Sequence, residues 1–138
     1  MDPKLEETKH ALVKSDFAVE ALQAPDEAHF GNWVLVASRG SLVVRIASDR
    51  DGILIDLMPY HRFAAGPTEQ SDWYNWDVVA QALDIQLDNG VDTLTSFLHH
   101  SGSVESEFQP DRWEEILTKL RSVEKEKRRR LTEGQTHD

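Results

Sequence analysis

Three runs of β-branched and aromatic residues, separated by short polar breaks, fill residues 32–58 and limit what this chain can fold into. Asn32-Trp33-Val34-Leu35-Val36-Ala37-Ser38 precedes Arg39-Gly40, and Ser41-Leu42-Val43-Val44-Arg45-Ile46-Ala47 precedes Ser48-Asp49-Arg50-Asp51-Gly52. Ile53-Leu54-Ile55-Asp56-Leu57-Met58 then ends at Pro59, which cannot donate to a ladder. Branched and aromatic side chains suit a pleated, half-buried surface, and Gly beside a polar residue suits a tight turn, with Gly52 expected at positive φ. The runs therefore read as an antiparallel meander. A further strand is expected at Phe17 to Leu22, with Phe17, Val19 and Ala21 on one face, although the same residues could continue a helix.

Helical patterning brackets these strands. Pro3 to Lys14 combines good helix formers with a proline in the first turn. Pro25-Asp26-Glu27 reads as a turn, and Tyr60 to Ser71, containing Gly66-Pro67, as a loop. Asn75 is placed to cap a helix whose apolar stripe is Trp76, Val79, Ala80 and Leu83. A further helix is expected from about Val91 to His100, ended by Ser101-Gly102. The last begins near Pro110, with Phe108 placed to staple onto Trp113 and a stripe of Trp113, Ile116, Leu117, Leu120 and Val123. Past Val123 only Leu131 is apolar, so that helix should leave the core and project into solvent. The expected fold is α+β: an antiparallel four-stranded meander sheet with helices packed on one face. Residues 1–132 form one domain in this reading, and 133–138 a flexible tail.

Charge is distributed unevenly. Residues 1–110 carry a formal charge of −11 and residues 111–138 one of +1, giving −10 overall, and 49–92 alone holds nine acids against two bases. Such a body repels nucleic acid and anionic lipid and favours encounter with basic surfaces, so a basic protein partner is expected, with no nucleic acid and no membrane involved. The start of the chain lacks the apolar region of a signal peptide and no apolar run is long enough to span a bilayer, so a cytoplasmic location is expected. The chain has no Cys, which excludes disulfides, thiolate metal sites and a cysteine nucleophile.

Catalytic constellations are weakly represented. His99 and His100 are adjacent and would point about 100° apart on a helix, so they cannot share an ion as an i,i+4 pair can. His61 falls in the expected loop. Neither a Gly-x-Ser-x-Gly elbow nor a glycine-rich phosphate loop occurs, so no cofactor is expected. Asp49 and Asp51 sit where aspartate is an ordinary turn residue. The cationic run Lys125 to Arg130 is interleaved with Glu126 and lacks a base-reading element; a solvated face, or contact with the acidic surface of another copy, suits it better. Trp73 and Tyr74, flanked by Asp72 and Asp77, are amphipathic aromatics; Trp73 suits a core or loop-clamping role, and both suit anchoring a partner. With the acidic turn they define the expected partner-binding set: Asp49, Asp51, Asp72, Trp73, Tyr74 and Asp77.

The segments Phe30-Gly31-Asn32-Trp33, Leu42 to Ile46, Asp49 to Asp56 and Trp73-Tyr74-Asn75-Trp76 resemble a pattern in small bacterial proteins, some of them similar to immunity proteins that neutralise a toxin of neighbouring cells. The resemblance covers about residues 17–84 and brings no catalytic residues with it. Asp51 stands where the pattern more often has Gly, which implies a turn longer by one residue. The resemblance implies a strand at Phe17 to Leu22 and a bacterial source, and it points toward a non-catalytic role as a toxin inhibitor; separately, a monomer or weak homodimer is expected. Two other readings stay open. One is a small enzyme or ligand-binding module with a site between the 60–71 loop and the sheet; the other is a structural subunit that self-associates through its last helix.

Overall fold

A computed structural model describes residues 3–23, 32–49, 52–65, 73–87 and 90–135, apart from the side chains of Asp49 and of 133–135. The elements in chain order are α1 (Pro3–Lys14), β1 (Ala18–Gln23), β2 (Val34–Arg39), β3 (Leu42–Asp49) and β4 (Gly52–Pro59). They continue with α2 (Tyr60–Ala64), β5 (Tyr74–Asn75), α3 (Trp76–Ala82), α4 (Thr93–Glu107) and α5 (Trp113–Gln135). The fold is α+β, with a five-stranded antiparallel sheet in the order β1-β2-β3-β4-β5.

Turn chemistry sets the register. Arg39 pairs with Leu42 across a two-residue turn in which Gly40 adopts φ +56°, a conformation that costs other residues a steric clash at Cβ. At the second turn Asp49 pairs with Gly52, so Gly52 opens β4; Arg50 and Asp51 between them lie outside the described residues. β1, expected at Phe17 to Leu22, spans Ala18–Gln23 with Phe17 buried just before it; it carries an irregularity between Val19 and Ala21, and all six of its residues are exposed.

The strand count differs from the expected four because Tyr74 and Asn75 pair with Leu57 and Asp56 before the chain turns into α3. Two residues are too few to show a period, so pairing along β4 was invisible in the sequence. Three helical boundaries also move. Tyr60–Ala64 is a short helix rather than loop, its first amide bonded to the Ser41 carbonyl at 2.7 Å; residues 66–72 lie outside the described residues, as does the expected turn at Pro25-Asp26-Glu27. α4 begins after Asp92, whose carboxylate accepts from the Thr95 amide at 2.8 Å, and runs through Ser101-Gly102 to Glu107. Phe97, Ser101 and Val104 are all buried, so core packing outweighs the roughly 1 kcal/mol that an interior glycine costs a helix. α5 starts at Trp113, after turn residues 109–112, and runs to Gln135; residues 136–138 lie outside the described residues.

Alternate strand residues Leu35, Ala37, Val44, Ile46, Ile55 and Leu57 share one sheet face and pack in a single cluster with side chains of α1, α3, α4 and α5. Trp113 gathers Phe108, Tyr74 and His61 round its ring at centroid distances of 5.4, 6.4 and 6.3 Å. Truncating so large a buried ring costs about 3–5 kcal/mol. Ile116, Leu117 and Leu120 continue the stripe, Val123 is half-buried, and Leu131 is 69% exposed. The end of α5 thus has no core to face. No helix among the described residues is long and apolar enough to cross a membrane.

Candidate interaction surface

The strand residues between those of the core point to the opposite sheet face. Val43 and Met58, a cross-strand pair, are fully buried there. Arg45 stands opposite Asp56 and bonds its carboxylate at 2.9 Å. The Arg45 guanidinium also lies over the Trp73 ring, 4.3 Å from its centroid, and Phe63 of α2 meets that ring edge-on at 6.4 Å. Tyr60, 39% exposed, is tilted against Phe63 at 6.2 Å. The result is a continuous chain Asp56–Arg45–Trp73–Phe63–Tyr60, held by an ion pair, a cation–π contact and two ring contacts.

Geometry explains why this row is rigid yet accessible. β5 fixes the backbone beside Trp73 through the Asp56–Asn75 register, and the Asn75 side chain caps α3 by accepting from the Asp77 amide at 3.0 Å. Strand alternation then sends Tyr74 into the core and Trp73 to the other face. Trp73 stays half-buried, and the Arg45 and Asp56 side chains keep 31% and 27% of their exposure. Beside the row lie half-buried Val34, Val36 and Ala47 and the 49% exposed Leu54.

The expected partner-binding set divides accordingly. Trp73 is on this surface. Tyr74 is a correction: it is 3% exposed and packs on Trp113, so it offers nothing to a partner. Asp77 is exposed in the first turn of α3. Asp51 and Asp72 lie outside the described residues, as does the side chain of Asp49. Sequence reasoning missed Arg45, Asp56, Phe63 and Tyr60. The signal for the first two was present: both are charged residues in strands of otherwise apolar character, placed symmetrically about the second turn.

Other polar groups are arranged differently. His61 is half-buried, with a buried Nδ1 that has no hydrogen-bond partner; burial, followed by the charge of Arg62, lowers its pKa below the usual histidine value. The His99 and His100 rings meet at 5.0 Å with their planes 87° apart, and among the described residues no group of three His, Asp or Glu could hold a metal ion. A cavity of about 430 Å³ opens between α3, α4 and α5, where Arg112 bonds Glu107 at 2.8 Å. Another of about 390 Å³ lies between α1 and the start of α4. Neither is lined by the described residues of the 60–71 segment, where the ligand-binding reading places its site.

Comparison with known protein families, curated proteins and solved structures finds none that matches this chain.

Proposed function

We propose that this chain is a non-catalytic, cytoplasmic partner-binding protein, and that its most concrete role is that of an immunity-type inhibitor of a bacterial toxin. The observation that carries this reading is Trp73, held between Arg45 and Phe63 on the sheet face opposite the main core and still partly exposed. A tryptophan whose rotamer is already fixed by its neighbours loses little entropy when a partner covers it, and Trp, Tyr and Arg are the residues that dominate binding energy at interfaces. Burial of the remaining Trp73, Tyr60 and Leu54 surface would supply the affinity.

The charge of −10 sets the partner's chemistry: a basic protein, steered by long-range attraction, rather than nucleic acid or an anionic bilayer. The test screens the products of the genes beside its own for a basic protein that poisons cells, and pairs the chain with it. Co-expression should restore growth of cells that this product poisons. Trp73→Ala should remove the protection while leaving the fold intact by circular dichroism, and Asp77→Lys should slow association at low salt. Absence of protection by folded wild-type protein overturns the reading.

A further inference from the structure

Beyond that role, the solvent face of α5 carries a pattern that complements itself. Glu115, Thr118, Ser122, Lys125 and Arg129 recur at alternating intervals of three and four residues, which puts them on one stripe of the helix; Asp111 stands in the turn just before it. All six are exposed, and the five on the helix face away from the buried row Trp113, Ile116, Leu120. The stripe is acidic at its start, basic at its end, and has two small hydroxyl residues at its centre.

We propose that this stripe pairs antiparallel with the same stripe of a second copy of the chain. With a two-fold axis between Thr118 and Ser122, Glu115 of one copy faces Lys125 of the other, and Asp111 faces Arg129, each contact occurring twice. The small central side chains let the helices approach to the usual 8–10 Å, and antiparallel packing also opposes the two helix dipoles favourably. Arg129 bonds Glu126 within its own helix at 2.6 Å, and a guanidinium's five N–H donors can serve a second carboxylate.

Charge selects the occupant. Residues 1–110 bear −11, so most of the body repels another copy, whereas 111–138 bear +1. The α5 stripe is where two copies can meet without that penalty, and its complementarity is to itself. From Glu115 to Arg129 the stripe spans roughly 21 Å, and its contacts are polar, which places the pair among small, transient interfaces.

Sedimentation equilibrium of the full chain at near-physiological salt, up to about millimolar concentration, tests this. Wild-type protein should form a dimer. Asp111→Lys/Glu115→Lys and Lys125→Glu/Arg129→Glu should each weaken it about tenfold or more, because every cross-pair becomes repulsive. An equimolar mixture of the two variants should associate again, since each then supplies the charge the other lacks. Circular dichroism checks that both variants keep their helix. A monomeric wild type, variants that dimerise normally, or a mixture that stays monomeric overturns the proposal.

Discussion

Arg39, at the end of β2, faces Glu105, near the end of α4, with Nε 3.4 Å from the carboxylate, although the two are 66 residues apart in the chain. The same guanidinium donates to the Ser15 carbonyl and the Ser101 hydroxyl at 2.8 and 2.9 Å and lies 4.5 Å from the centre of the Phe17 ring. One side chain therefore joins the α1–β1 junction, the first hairpin and α4. Ser41 adds a bond from its hydroxyl to the Glu105 carbonyl.

Replacing Arg39 by Ala should lower stability by about 2–3 kcal/mol, since charge-assisted hydrogen bonds are lost and their partners are left without a replacement donor. Arg39→Lys should recover only part, because an ammonium cannot present the planar fork that reaches three acceptors. Urea unfolding of the three proteins checks this, and a change under about 0.5 kcal/mol for Ala would show the junction to be a surface feature.

Two glycines should respond in opposite directions. A Cβ at Gly40 would lie 2.6 Å from Glu105 Oε1, and the backbone there is left-handed. Glu105 could swing aside, but the φ strain would remain, so Gly40→Ala should cost about 1–2 kcal/mol. Gly102 lies inside α4 with nothing within 4 Å of an added Cβ, so Gly102→Ala should stabilise by about 0.5–1 kcal/mol. Thermal melts of both variants read the two signs directly. A raised midpoint for the Gly40 variant is incompatible with this account of the turn.

His61 should make stability depend on pH. Its folded pKa lies below the ordinary 6.5, so the unfolded chain takes up the proton first. The contribution of the neutral ring is complete above 6.5 and is lost as pH falls from 6.5 through the folded value. His61→Phe keeps a ring edge toward Trp113 and removes the titration. Unfolding free energies measured at about pH 7.5 and 5.5 should fall more on acidification in wild type than in the variant. Parallel losses in the two proteins would show that the half-buried imidazole does not prefer its neutral form.

What the sequence determined alone was most of what short-range chemistry controls, the one-turn helix Tyr60–Ala64 excepted. The alternation of Val34 to Ile55, the glycine at Gly40, the cap at Asn75 and the stripe Trp113 to Leu120 each encode local backbone geometry in neighbouring residues. Together they were enough for an α+β meander with its helices. Trp73 was legible as an amphipathic aromatic, but its separation from Tyr74 was not. Only the two-residue β5, formed by pairing with β4, sends one ring inward and the other out. Ser101-Gly102 looked like a helix end because propensity weakens there; the burial of Val104 and the bond from Arg39 to Ser101 carry α4 through it. Arg39, Arg45 and Glu105 take their roles from partners distant in the chain, and such partners become neighbours only after the core has closed. Tertiary structure decided these features because a few long-range contacts, each worth about a kcal/mol or more, exceed the local preferences they override.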